Sequence, residues 1–397
     1  MLAKGFYGKF KSPIVQLGDV VSVHYGKALA APVRRPGNIP VYGSNGQCGW
    51  HDVPLRQGPT VVLGRKGQGP LGVKWSTGPF WVIDTAYYVT VDPARIDLRY
   101  FYYITGYVGL NHLKDGTSNP SLSRDVFGRQ AVPLPDLATQ RKIAGIFSAY
   151  DDLIENNQRR IKILEEMAQS LYREWFVHFR FPGHESARFT ASPLGRIPEG
   201  WEVVPFTEIA EILSGGTPKT TVDEFWNGEI PFFSPKDAPQ SFYVLDTEKK
   251  ITGQGLLKCA SKLYEKDTIF ITARGTVGKV SMASRSMAMN QSCYALKGKH
   301  GFTQKFLFLT TKEQVAYLKT NTGGATFDTI VVDTFRRMMV VKPPVLFADQ
   351  FTSKVTPIVD AVDNLLKRNQ TLRRTRDLLL PKLLAGDSSV DRAASVC

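Results

Sequence analysis

Apolar positions along this chain fall into two long seams of three-then-four spacing, separated by stretches of short alternating runs. The first seam lies in residues 140–176. It comprises Ile143, Phe147, Tyr150, Ile154, Asn157, Ile161, Leu164, Ala168, Leu171 and Trp175. Nine of these ten are apolar or aromatic, and the residues between them are mostly charged or amide. That spacing predicts a helix packed against another helix as in a coiled coil. At about 1.5 Å per residue it would be on the order of 55 Å long, a length suited to a spacer. Charges recur too often along it for a membrane span.

Only residues 349–384 offer a partner seam: Ile358, Val362, Leu365, Asn369, Leu372, Arg376, Leu379 and Leu383. Each seam carries one Asn near its middle. In an antiparallel pairing Asn157 and Asn369 can meet, which costs stability but fixes register. In the alternative, either amide faces water. Pro357 is expected in the first turn of the second helix, and Pro381 near its end or at a kink.

Between the seams the pattern turns to period two. Residues 61–63, 81–83 and 86–89 read as short strands before the first seam, and 268–272 and 338–341 as strands between the seams. Gly, Pro and Asn punctuate both regions. The two regions also resemble each other in detail. Leu17-Gly18-Asp19-Val20 parallels Phe206-Thr207-Glu208-Ile209, and Asn38-Ile39-Pro40-Val41-Tyr42 parallels Glu229-Ile230-Pro231-Phe232-Phe233. The run from Val62 to Gly67 parallels that from Ile271 to Thr276, which sets Arg65 against Arg274. Each region ends in a Pro-containing apolar run leading to a Gln, Gln140 or Gln350. The unit is a β-rich module plus a long helix, present twice.

The expected architecture is therefore α+β: two similar β-rich domains separated by two long antiparallel helices forming a coiled coil. Residues 1–136 form the first module and 137–181 the central helix. Residues 182–345 form the second module, with a linker at 182–200. Residues 346–386 form the C-terminal helix and 387–397 a flexible tail.

Charge narrows the function. Fifty basic against 36 acidic residues leave a net charge of +14, which favours a polyanionic partner, nucleic acid first. Two basic modules on one spacer suit two segments of one duplex, whose sites recur about every 34 Å. Cys48, Cys259, Cys293 and Cys397 are scattered without a C-x-x-C pair, so neither a zinc site nor a disulfide framework is expected. No signal peptide is visible at the N-terminus, and a cytoplasmic location fits best.

Recognition of base edges and phosphates calls for cations, amides and hydroxyls on loops. The leading candidates are Arg65 and Lys66 in the first module, with Arg274 and Thr276 in the second. The Gly-rich loops add Thr117, Ser118 and Asn119, and their counterparts Thr322, Thr326 and Asp328. Lys236, Asn290 and Gln291 complete the set. The alternative reading of each is a solvated turn. The aromatic run Tyr100-Phe101-Tyr102-Tyr103 is read as core rather than a stacking platform.

Chemistry of its own is not expected, and no catalytic or metal-binding residue is assigned. Asn119-Pro120-Ser121-Leu122 lacks the second Pro and the aromatic of an adenine-methyltransferase motif. No Pro-Asp…Glu-x-Lys nuclease core or Walker A loop occurs. Residues 67–72 satisfy G-x-G-x-x-G, but they read as a turn entering a strand, without the helix that a dinucleotide site needs.

Several blocks then resemble the specificity (S) subunits of type I restriction–modification enzymes. They are Leu134-Pro135-Asp136-Leu137 running on to Ile143, Gln169-Ser170-Leu171-Tyr172-Arg173-Glu174-Trp175-Phe176, and Pro198-Glu199-Gly200-Trp201. Ile230-Pro231-Phe232-Phe233-Ser234-Pro235-Lys236-Asp237, Gly275-Thr276-Val277-Gly278 and residues 380–386 are further ones. Their order and duplication carry the resemblance over nearly the whole chain. It implies two target-recognition domains, each reading half of a split double-stranded DNA target, and no catalysis by the chain itself. It implies helices that set the unread spacing and dock two methyltransferase (M) subunits, with restriction (R) subunits joining. S-adenosylmethionine, ATP and Mg would reside on those partners and none on this chain. The competing reading is a helical scaffold with β-rich protein-binding modules and no DNA specificity.

Overall fold

The computed structural model describes residues 12–321 and 329–385. The chain divides into two compact units. The first runs to Leu153 and resumes at Leu372; the second is Ile154–Thr371. Each unit takes in part of both long helices, so the expected five-part division does not coincide with the compact units.

In the first unit a four-stranded antiparallel sheet has the order Val21–Tyr25, Ala86–Val91, Thr60–Gly64, Val73–Ser76. All five residues of Thr60–Gly64 are buried, as expected of a strand covered on both faces. A second sheet has the order Gly46–His51, Ile39–Gly43, Trp81–Val82, the last pairing parallel. Ile14–Gln16 pairs with Ala131–Pro133 and closes the module. The helix Leu98–Val108 starts at Asp97, whose carboxylate accepts from the amides of Arg99 and Tyr100, both at 2.9 Å. This is an N-cap that satisfies two otherwise orphaned donors. Tyr100 and Phe101 are fully buried and Tyr103 nearly so. The aromatic run is core.

The second unit repeats this plan. Its main sheet has the order Ala210–Ser214, Cys293–Gly298, Ile269–Thr272, Val280–Ala283, with Tyr243–Val244 added in parallel at the edge. The second sheet is Lys250–Ile251, Trp226–Phe233, Ala288–Met289. Glu202–Pro205 and Met339–Lys342 close it.

The central helix is Leu137–Phe176 and the C-terminal helix Val345–Ala385. In the first unit Ile143, Phe147, Tyr150 and Leu383 are buried, with Leu372 and Leu379 packed against them. In the second unit Ile154, Ile161, Ala168, Trp175, Val362 and Leu365 are buried, and Leu164, Leu171 and Ile358 half-buried. The partners run antiparallel in both. Arg376 Nη1 donates to Asp151 Oδ1 at 2.6 Å in the first unit. In the second, Phe176 lies 5.0 Å from Phe351, ring to ring, and Asn157 Nδ2 donates to Asn369 Oδ1 at 2.8 Å. Both amides are buried, and Asn369 Nδ2 also reaches the Ile154 carbonyl at 3.3 Å.

The C-terminal helix matches the expected 346–386 within one residue at each end, but the placement of Pro357 is corrected. Pro357 lies well inside it rather than in its first turn, whereas Pro381 lies near its end at Ala385, as expected. The reason is burial. Ala348, Phe351, Val355 and Val359 are fully buried and carry the seam toward Tyr172, Trp175 and Phe176. That packing outweighs the backbone bond lost at Pro357. The Gln140–Gln350 repeat also fails. Gln140 is buried, bonding the carbonyls of Arg95 and Pro135 and the Asp97 amide, whereas Gln350 is exposed.

Each module is tied to the helices inside its own unit. Tyr103 donates to Asp151 at 2.8 Å, and Arg99 to Ser148 at 3.0 Å. In the second unit Glu165 accepts from the Ser241 hydroxyl and the Phe242 amide. Asp363, 2% exposed, accepts from Ser284, from Lys367 at 2.7 Å and from Lys266 at 3.2 Å. Burial opposes the charge on Asp363, but Lys367, Ser284 and Lys266 together hold its carboxyl below the ordinary aspartate pKa.

Candidate nucleic-acid interface

Both modules build their candidate surface on the same backbone frame. Ile83 donates to the Tyr42 carbonyl in the first, and Asn290 to the Phe233 carbonyl in the second, both at 2.9 Å. Gly26 and Gly215 sit against equivalent carbonyls. A Cβ on Gly26 would lie 2.2 Å from Ile83 O, and one on Gly215 2.2 Å from Asn290 O. No side chain fits either place, so glycine is required there by space alone.

The frame corrects the pairing of cations between modules. The amides of Arg65 and Lys66 both bond Thr85 O, at 2.9 and 3.2 Å. Those of Ala273 and Arg274 both bond Ser292 O, at 2.9 and 3.2 Å. Gly67 and Gly275 follow with φ of 125° and 80°. The equivalent of Arg274 is therefore Lys66, and Arg65 corresponds to the buried Ala273. Strand register agrees, since Gly64 faces Ala86 as Thr272 faces Cys293.

In the first module the two candidate loops lie side by side. Gln68 Nε2 donates to the carbonyls of Thr117 and Ser118, Lys114 Nζ to those of Gly67 and Gly69, and the Gly67 amide to Pro120 O. Thr117, Ser118 and Asn119 are exposed, and Arg65 and Lys66 half-buried. Residues 67–72 turn into the strand Val73–Ser76 without opening a helix. Arg65 is restrained: its guanidinium donates to Asp84 O from Nε and Nη2, at 3.1 and 2.8 Å. It also lies 5.0 Å from the Tyr25 ring and 5.7 Å from that of Tyr87. Arg124 also lies over the Tyr25 ring, 4.5 Å from its centroid. The Tyr87 hydroxyl, then Arg124 and Arg65, pull the Tyr25 hydroxyl below the ordinary tyrosine pKa.

In the second module Lys236, Arg274, Thr276, Asn290 and Gln291 line one open cleft of about 540 Å³. Lys236 is exposed on a turn locked by Asp237, which accepts from the Ser234 amide and hydroxyl and from the Glu248 amide. Asn290 is half-buried with its carbonyl oxygen bound to the Ser292 amide at 3.0 Å, and Gln291 bonds Thr217. Arg274, Gly275 and Thr276 are exposed. Thr322, Thr326 and Asp328 lie outside the described residues. The cleft adds residues missed in the sequence reading: Thr217, Trp226, Glu248 and Lys249, with Lys249 Nζ 5.4 Å from the Trp226 ring. An aromatic face beside cations can accept a base or a sugar–phosphate. The signal for Lys249 was the basic pair with Lys250. For Arg124 and Tyr25 no motif existed.

Among the described residues no cluster of His, Cys, Asp or Glu is placed to hold a metal ion, and no helix is long and apolar enough to cross a membrane. Cys48, Cys259 and Cys293 are free thiols.

Duplicated β-rich modules on antiparallel helices, each module presenting a cationic surface, define a class of two-headed polyanion reader. Residues 11–166 and 198–372 match the model of the type I restriction modification DNA specificity domain, and the chain belongs to that family. The type I restriction enzyme HindI specificity subunit of Haemophilus influenzae is 24% identical over 372 residues, covering 77% of this chain and 81% of that protein. The MjaIX specificity subunit of Methanocaldococcus jannaschii is 28% identical over 204 residues, covering 50% of this chain; the match spans about half of that relative (46%). The crystal structure of the type I restriction–modification S subunit from M. genitalium superposes with a TM-score of 0.65 at 17% identity, over 95% of this chain and 96% of that one. That likeness concerns the fold.

Proposed function

We propose that this chain gives a type I restriction–modification complex its DNA sequence specificity without catalysing a reaction itself. Each module reads one half of a bipartite double-stranded target. Lys66 and Arg274 are the equivalent cations nearest the bases, and the cleft around Asn290 and Gln291 reads the second half. Two M subunits, carrying S-adenosylmethionine, and R subunits, using ATP and Mg, assemble on it in the cytoplasm. The helix seam residues are taken up by helix–helix packing, so subunits would dock on outward positions such as Leu153, Ile163 and Met167, which are 42, 54 and 50% exposed. The observation that carries the proposal is one cationic turn built twice on the same carbonyl frame, in a chain whose family is a DNA specificity domain.

Genome-wide adenine methylation mapping, with and without this gene, tests the reading. A bipartite motif that disappears with the gene is expected; an unchanged methylome refutes it. One helical turn, about four residues, inserted beside Asn157 and again beside Asn369 should lengthen the unread gap and leave both half-sites intact. New half-site sequences would refute the spacer role.

A further inference from the structure

In the first module Arg65 and Arg124 converge on one exposed tyrosine. Tyr25 is 49% exposed, with Arg124 4.5 Å and Arg65 5.0 Å from its ring. Neither guanidinium has a carboxylate partner among the described residues, although Asp125 adjoins Arg124 in sequence. Arg65 is further fixed by Asp84 O. Two guanidiniums without a counter-ion beside one exposed hydroxyl are what an anionic oxygen group needs, because guanidinium donors bind phosphate in pairs.

The duplicate module shows that the fold does not require this cluster. The Tyr25–Tyr87 strand pair corresponds to Ser214–Tyr294. Arg65 corresponds to Ala273, and Leu122, which donates to Arg65 O, to Ile330, which donates to Ala273 O. Two residues on, Arg124 therefore corresponds to Val332. The second module keeps the same backbone with Ser, Ala and Val at these places and no cation. The arginines are present in one copy and not at the equivalent places of the other.

We propose that Arg65, Arg124 and the Tyr25 hydroxyl form a clamp for one backbone phosphate of the duplex, used by the first module and absent from the second. This rests on the DNA-specificity reading above and assigns Arg65 to affinity rather than to base choice. Lys66, one residue on, is left to face the bases.

The test uses the full chain co-purified with a methyltransferase (M) subunit from the same organism. Binding is measured to a duplex carrying the mapped target and to a scrambled duplex, across a series of KCl concentrations. Arg65→Ala and Arg124→Ala should each weaken binding to both duplexes by the same factor. Each should also lower the slope of log K against log salt by up to about one, because one phosphate contact is weakened. Arg124→Lys should restore part of the slope, and the methylated sequence should stay the same. Unfolding midpoints within error of wild type would separate the effect from damage to the fold. An unchanged slope in both alanine variants overturns the clamp, as does an altered first half-site. A wild-type complex that binds target and scrambled duplex equally overturns the specificity reading instead.

Discussion

The two modules agree in their backbones and differ in their surface chemistry. Both hold a turn on a single carbonyl, Thr85 O or Ser292 O, and both press a glycine against the strand beside it. On that frame the first module carries Lys66, two arginines beside Tyr25 and two loops bonded to each other. The second carries Arg274 over a cleft with Trp226, Lys249, Asn290 and Gln291. The difference separates what the fold demands from what a target could demand. Residues retained at equivalent places hold the frame, and residues that change are free to set sequence preference.

The comparison breaks most sharply at the glycines. Gly26→Ala and Gly215→Ala should each destabilise their unit by about 3 kcal/mol, since backbone would have to move, as read by chemical denaturation. Unequal losses would show that the frames are less alike than their bonds suggest. Next is the tie to the C-terminal helix. Asp363→Asn should cost about 2 kcal/mol in the second unit, because a buried, charge-assisted network is lost. The wild-type contribution is complete above the ordinary aspartate pKa of about 4. It disappears as pH falls through the lower folded value, so the variant and wild type should converge in acid. Asp151→Asn, at a less buried carboxylate, should cost the first unit less. The equivalent cations come third: Lys66→Ala and Arg274→Ala should each weaken specific binding about tenfold, or about 1.4 kcal/mol. Each should relax the methylated motif in a different half. Relaxation in the same half would undo the equivalence. The smallest effect is at the amide pair. Asn369→Ala should cost about 1 kcal/mol by leaving Asn157 unpaired, whereas Asn157→Leu with Asn369→Leu should be near neutral in stability.

The helices were legible because their seams are long, mostly apolar and each marked by one asparagine near its middle. The duplicated strands were legible from Ile39-Pro40 and Ile230-Pro231. The register at Arg65 was misread because matching cation to cation displaced Gly67 from Gly275; matching glycine to glycine gives the observed equivalence. Pro357 was misplaced because proline was read as a first-turn residue, although the apolar residues before it already lay inside the expected helix. The cleft was only half visible, since Trp226 and Thr217 are brought to Gln291 by pairing between distant strands, which spacing along a chain does not record.

The paired amides have a consequence for how such a chain can change. A slip along the seam would bury each amide against hydrocarbon, so intermediate alignments are penalised while a shift by a whole repeat is far less so. Any inherited alteration in the length of these helices would then arrive in discrete steps, and a lineage would acquire a new gap between half-sites abruptly rather than by gradual drift.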